Sequence, residues 1–329
     1  MSGHGQDRGP SRRDFLVLGA GIFTVSTIGL TRGRQQVVRR TVPVMGTLAE
    51  IAVVSRDERA AHAAISAATE ELHLVHRLMS RFDPASDIGR CNAGAWLQPV
   101  AVSAATATVV GEALYWASVP GSRFDPGLGR ATALWDIPHR TAPPAAAEIG
   151  RLARREHHRG VRIASRGDGA TIMFADADVA LDLGGIAKGY GVDRAVAALR
   201  EWGVMNALVN VGGDLYAMGT SEGGDPWRVG IRSPDQPGRL SGTLALEDRA
   251  VATSGDYEQF FEHDGRRYHH LLDPATAAPG ATASHSVTVA AASCMAADAA
   301  ATAIFGLPPG AAAQVLARAG RGVELVGTA

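Results

Sequence analysis

Of the 32 basic residues in this chain, one is lysine and the rest are arginine; the lysine, Lys188, stands in the stretch DLGGIAKGYGVDRA, Asp182 to Ala195. An apolar run ends at Asp182, two glycines turn the chain, and a helix is predicted from Ile186. Open backbone N–H groups at such a start favour an anion, and glycines let a phosphate come close. Lysine is a compact point donor and arginine a planar fork, so a position reserved for lysine is one where the shape of the cation matters. A tight turn with a solvated lysine is the other reading these residues allow. A second stretch, CMAADAAATAIFG, carries Asp298 and Thr302 four residues apart on one predicted helix face. Their oxygens suit one hard cation such as Mg2+, or else Thr302 bonds back to its own helix while Asp298 faces solvent. The third stretch, RRYHHLLDPATAAPG, places His269 and His270 on alternate faces of a strand. A neutral imidazole there could take a proton from a hydroxyl, or it could be structural. Thr253, Ser254 and Asp256 share a turn in ATSGDYEQFF, but no G-x-S-x-G elbow is present, so a serine hydrolase has no support.

Elements of several kinds must position these residues. VMGTLAEIAVV has strand composition. Ala61, Ile65, Ala68, Leu72, Val75 and Met79 recur every three or four residues, which predicts a helix over 58–80. SRFDPASDIGRCNAG reads as a loop, Ser103 as the N-cap of a helix reaching Val119, and GSRFDPGLGRATALWDIP as a further loop. Pro143-Pro144 open a helix running towards Arg155. Strands are expected in VRIAS, ATIMFA and VALDL, then a helix from Ile186 to Trp202. NALVNVGGDLYAMG follows as two strands broken at Gly212-Gly213, before Asp214. A run of short strands leads on to helices at Ser293–Phe305 and Pro308–Ala319 and a closing strand, GVELVG. Antiparallel strands with helices to one side are the pattern of an α+β fold.

Composition narrows the function. The 329 residues are 46% hydrophobic and 20% charged with a net charge of −1, so no basic field points to nucleic acid. Arg12-Arg13 precede sixteen uncharged residues, Phe15 to Leu30. This is the pattern of a twin-arginine export signal over residues 1–30, with a basic linker at 31–41 and one domain over 42–329. The expected location is extracytoplasmic. Membrane association through the N-terminal segment is an open possibility, although sixteen residues are short for a spanning helix of roughly twenty. Cys91 and Cys294 form no C-x-x-C pair and read as small buried thiols.

Taken in order, VMGT, SRFDPASDIGRCN, FDPGLG, LDLGGIAKGYGVDRA, NVGGDLYAMG, VATSGDYEQFF, HHLLDP and SVTVAAASCMAADAAATA resemble the ApbE family of FAD:protein FMN transferases. The resemblance implies an α+β architecture of mostly antiparallel sheets with flanking helices, in two lobes with an FAD cleft between them. It implies FAD as substrate, Mg2+ as cofactor, and a Thr or Ser of an exported acceptor protein as the site of attachment, with AMP released. By the same resemblance the metal ligands are Asp298, Thr302 and the carbonyl of Gly185. Met45, Phe82, Arg123, Phe124, Asp125, Asp182, Lys188 and Leu272 match positions that bind FAD. His270 is the expected base, with His269 as runner-up. Hydrolysis of FAD to FMN and AMP, or flavin binding without catalysis, are the alternatives. The chain departs from the family pattern in carrying Ala301 where some members have a second acid, Phe82 for a tyrosine, Arg130 for a proline and Ala277 for a glycine.

Overall fold

A computed structural model describes residues 15–17, 23–26 and 36–328 apart from 168, 234–238, 281 and 283. Arg12-Arg13 lie outside these residues. Of the apolar run that follows, Phe15–Val17 and Phe23–Ser26 pair as short antiparallel strands, the second against Trp227–Arg232.

The centre is a seven-stranded sheet whose neighbours follow chain order. They are β1 (Gln36–Val44), β2 (Thr47–Ser55), β3 (Ala207–Val211), β4 (Asp214–Met218), β5 (Arg249–Gly255), β6 (Ser286–Ala291) and β7 (Glu324–Thr328), every pair antiparallel. Residues 36–41, expected as linker, are thus part of the first strand, with Gln36 opposite Ser55 and Thr41 opposite Glu50. Two hairpins close through two-residue turns with positive φ at both positions. Met45-Gly46 has φ 54° and 73°, and Gly212-Gly213 has 59° and 99°. That geometry matches the right-handed twist of the strands it joins. Glycine reaches it freely; Met45 does so under backbone strain.

Helices insert between the strands. α1 (Glu58–Met79) starts at Asp57, whose side chain accepts the Ala60 N–H, and buries Ile65, Leu72 and Val75 on one face. Each such side chain contributes about 1.5–3 kcal/mol. α2 (Asp87–Gly94), α3 (Ala104–Ser118), α4 (Gly129–Trp135), α5 (Ala146–Leu152), α6 (Ala187–Glu201), α7 (Cys294–Ile304) and α8 (Pro309–Ala319) follow. The expected cap on α3 is present, since Ser103 accepts the Thr106 N–H. α1, α6 and the first turn of α7 pack on one face of the large sheet, and Trp227–Arg232 with Leu240–Leu246 cover the other. A second core lies around a three-stranded sheet of Val100–Ser103, Gly169–Phe174 and Val161–Arg166, with α3, α8 and the later part of α7. α7 is shared between these two cores. Ala297, Ala299, Ala300, Ala301 and Ala303 are all fully buried there, and small side chains at these positions let both cores close on α7. Cys91 belongs to the second core and Cys294 to the first; both thiols are free and buried.

Three expected elements differ. VALDL forms no ladder: Ala180 makes one isolated parallel bridge to Leu128, and the Leu181 N–H donates to the Asn92 side chain. α2 and α4 fall where loops were expected. In α2, buried Asp87 accepts from the Ser103 N–H and from the hydroxyls of Ser103 and Thr106, so contacts sixteen and nineteen residues away fix it. In α4, Gly129 approaches the Ala180 carbonyl so closely that a Cβ would lie 2.7 Å from it.

Candidate functional site

The site forms where α6 crosses α7. Gly189 allows the crossing, since a Cβ there would stand 2.3 Å from the carbonyl oxygen of Cys294. The start of α7 is pinned twice. Ser293 accepts the Ala296 N–H, and Asp193 of α6 accepts from the N–H groups of Cys294 and Met295 at 2.7 and 2.9 Å. Burial pushes the Asp193 carboxyl up to about 6, those two N–H groups opposing it. One turn further on, Asp298 accepts the Gly189 N–H at 3.0 Å.

With α7 held in this way, Thr302 donates its hydroxyl across the crossing to the Gly185 carbonyl at 3.3 Å. Its oxygen lies 3.5 Å from Ser254 Oγ of β5. The alternative of Thr302 bonding to its own helix with Asp298 in solvent is not what forms, because Asp298 is 3% exposed. Asp298, Thr302 and the Gly185 carbonyl present a carboxylate, a hydroxyl and a carbonyl, the oxygen donors a hard divalent cation requires. A Cβ on Gly185 would lie 2.7 Å from Thr302 Oγ1, so glycine keeps this space open. The residues present therefore fit Mg2+.

Lys188 Nζ sits 2.5 Å from Asp214 Oδ2 and 3.4 Å from each oxygen of Asp298. Burial alone would favour loss of its proton, but the two carboxylates outweigh it and raise its proton affinity. Asp214 moves up as well, through burial first and the charge of Asp298 second. The ammonium lies between two carboxylates, where a planar guanidinium would present its donors in a different geometry. Several of the N–H groups at the start of α6 have partners within the chain. The Ile186 and Ala187 N–H groups donate to Leu183 O, the Gly184 N–H to Asp182 Oδ1, and the Gly189 N–H to Asp298.

Around this centre the expected residues divide. Asp182 pairs with Arg81 at 3.3 Å, and the Arg81 guanidinium lies 4.2 Å from the ring centre of Phe82. Phe82 is 74% exposed. Met45 places its sulfur against Gly191 of α6. Arg123 donates to Asp273 at 2.7 Å, and its backbone N–H donates to Ala303 O of α7. Leu272 is partly buried, on a two-residue strand paired with Ala278–Pro279. Phe124 and Asp125 are both buried. Phe124 lies in the second core, and Asp125 is 7% exposed and accepts from the N–H groups of Gly127 and His158.

The two histidines separate clearly. His269 is 4% exposed, with Nε2 2.9 Å from the Gly280 carbonyl and Nδ1 accepting the Leu271 N–H, so both nitrogens are engaged and its role is structural. His270 is half-buried; Nδ1 lies 3.4 Å from the Gln259 carbonyl, and Nε2 bonds to none of the described residues. A proton on Nδ1 leaves Nε2 with a free lone pair. Burial pushes this imidazole down to about 4, and the charges of Lys188 and Asp182 act on it from nearby.

Asp214 and Asp193 carry parts of this site that the motifs did not single out. The signal for Asp214 was present as an acid within the apolar run LVNVGGDLYAM, whose burial demands a cation. Asp193 was hidden because its partners are backbone groups 101 and 102 residues later.

The sequence model of the ApbE family matches residues 45–326. A FAD:protein FMN transferase of Treponema pallidum is 34% identical over 304 residues, covering 88% of this chain and 84% of the relative. One from Vibrio cholerae is 32% identical, covering 89% and 87%. Among solved structures, the ApbE protein of Thermotoga maritima superposes with a TM-score of 0.78 at 30% identity, covering 88% of this chain and 94% of its own. The flavin transferase ApbE of Vibrio cholerae gives 0.74 at 29%, covering 88% and 93%.

Proposed function

The chain belongs to the ApbE family, and from that premise we propose that it transfers the FMN half of FAD to a Thr or Ser hydroxyl of an acceptor protein, releasing AMP. The observation that carries this reading is the meeting of Asp298, Thr302, the Gly185 carbonyl and Lys188 at one helix crossing. Mg2+ held by Asp298, Thr302 and Gly185 would act as a Lewis acid on pyrophosphate oxygens. The acceptor oxygen forms a bond to the phosphorus on the FMN side, the P–O–P bridge breaks, and AMP departs with the bridging oxygen. His270 Nε2 takes the hydroxyl proton. Lys188 brings a fixed positive charge to the phosphates, and Phe82 offers its exposed ring to a planar ring of the substrate. The Arg12-Arg13 signature supports an exported enzyme, and hence an exported acceptor.

The full chain with FAD, Mg2+ and candidate acceptors tests this reading, scored by a fluorescent flavin-labelled band together with AMP. AMP without label would make the chain a hydrolase, and bound FAD without AMP a flavin binder. His270→Ala is expected to lower transfer about 10²–10⁴-fold with little change in FAD affinity; an undiminished rate would remove His270 from the mechanism. Because the free imidazole sits at about 4 rather than 6.5, kcat/KM should hold from neutral pH down to about 5.5. A fall centred near 6.5 would show that burial does not control this base. Lys188→Arg should raise the KM for FAD about tenfold or more, the loss of one charge-assisted contact. Unchanged kinetics would make the lone lysine incidental.

A further inference from the structure

Asp214 takes no part in the reaction as written, yet it is a carboxylate at the centre of the molecule. It opens β4, is 2% exposed, and lies in a hairpin in which every residue of β3 and β4 is buried. Its one ion-pair partner among the described residues is Lys188, at 2.5 Å. An ion pair at such a position is a poor source of stability, because an apolar pair of similar volume does as well or better. Nor is Asp214 required merely to balance Lys188, since Asp298 faces the same ammonium. What Asp214 adds is direction. Its oxygen is nearer than either oxygen of Asp298, 2.5 against 3.4 Å, so it draws Nζ towards the sheet and away from α7. The tight Gly212-Gly213 turn sets the carboxylate there, with the Gly213 N–H bonded to the Asn210 side chain.

We propose that Asp214 is the positioning residue of Lys188: it holds the ammonium at the helix crossing, ready for the substrate's phosphates, and keeps it from closing onto Asp298, whose oxygens the metal needs. This rests on the reading of Lys188 as a phosphate contact.

The test is a double-mutant cycle read by FAD affinity, from flavin fluorescence, and by Mn2+ affinity, from electron paramagnetic resonance, on protein whose folding is checked by thermal midpoint. Asp214→Asn should weaken FAD about ten- to a hundredfold, the loss expected when a charged hydrogen bond is misdirected, and should weaken Mn2+ as well. Lys188→Met should weaken FAD to a similar degree. The double variant should be no worse for FAD than Lys188→Met alone, because the two residues act as one unit. Full FAD affinity in Asp214→Asn, or losses that add, would overturn the proposal while leaving Lys188 as a phosphate contact. Full affinity in Lys188→Met would instead overturn that contact. A second measurement needs no variant. Labelling with 15N-lysine gives a single side-chain signal, since Lys188 is the only lysine. A slowly exchanging ammonium that shifts on adding FAD is expected; one lost to rapid exchange with water would refute a fixed position.

Discussion

Asp298→Ala is expected to lower FMN transfer by about a thousandfold or more. One carboxylate accepts the Gly189 N–H, faces the Lys188 ammonium, and offers the only charged oxygen among Asp298, Thr302 and the Gly185 carbonyl. Under the proposed mechanism, losing the charge stabilisation of a metal held there would cost several kcal/mol of the barrier, and each 1.36 kcal/mol is about a factor of ten. The measurement is flavin label on the acceptor together with AMP release at saturating Mg2+. Asp298→Asn is the companion variant, because its amide oxygen can still accept the Gly189 N–H, so the fold should persist while activity does not. Transfer at the unmodified rate in either variant would show that the cation, if one is used, is held elsewhere.

Gly189→Ala is expected to strike the fold as hard as Asp298→Ala strikes the chemistry. The new Cβ would meet the Cys294 carbonyl oxygen at 2.3 Å, its carbon at 2.6 Å and Asp298 Cβ at 2.8 Å. Two of these are backbone atoms and cannot rotate away, so α6 and α7 must part. Overpacking of this kind costs about 1–3 kcal/mol or more, which exceeds the gain of up to about 1 kcal/mol from alanine's helix propensity. The thermal midpoint should drop by several degrees, and transfer should fall even below that midpoint, since the crossing carries the site. Gly111→Ala is the control: Gly111 lies in α3, and a Cβ added there would meet nothing within 4 Å, so the same change should leave the midpoint equal or higher. An unchanged midpoint for Gly189→Ala would mean that the crossing is loose.

Local chemistry made much of this readable in the sequence. Ser103 announced the start of α3, the α1 stripe announced its buried face, and the two glycines at 212 and 213 announced the β3–β4 turn. Asp298 and Thr302 could be placed on one face because a helix has a fixed period. Long-range contacts were harder to read. The apolar run at VALDL looked like a strand because sequence shows composition and not partners; there the chain is held by the Asn92 side chain and by backbone bonds with Pro126, Gly127 and Gly129. α2 and α4 are short helices decided by Asp87 and by the approach of Gly129 to Ala180. The depth at which packing buries Phe124 and Asp125 was not legible either. Of the N–H groups expected to be open at the start of α6, those of Gly184, Ile186, Ala187 and Gly189 are taken by Asp182, Leu183 and Asp298, the last of them 109 residues from Gly189.

The two free thiols sit one in each core, Cys91 among the residues around the small sheet and Cys294 under the large one. Burial drives the Cys91 thiol up to about 12 and Cys294 well above its ordinary value, so neither exists as a reactive thiolate in the closed molecule near neutral pH. An alkylating reagent can therefore reach each sulfur only during an excursion that opens the surrounding core. The chain thus carries a pair of native clocks, and the ratio of their modification rates tells whether its two halves breathe together or apart.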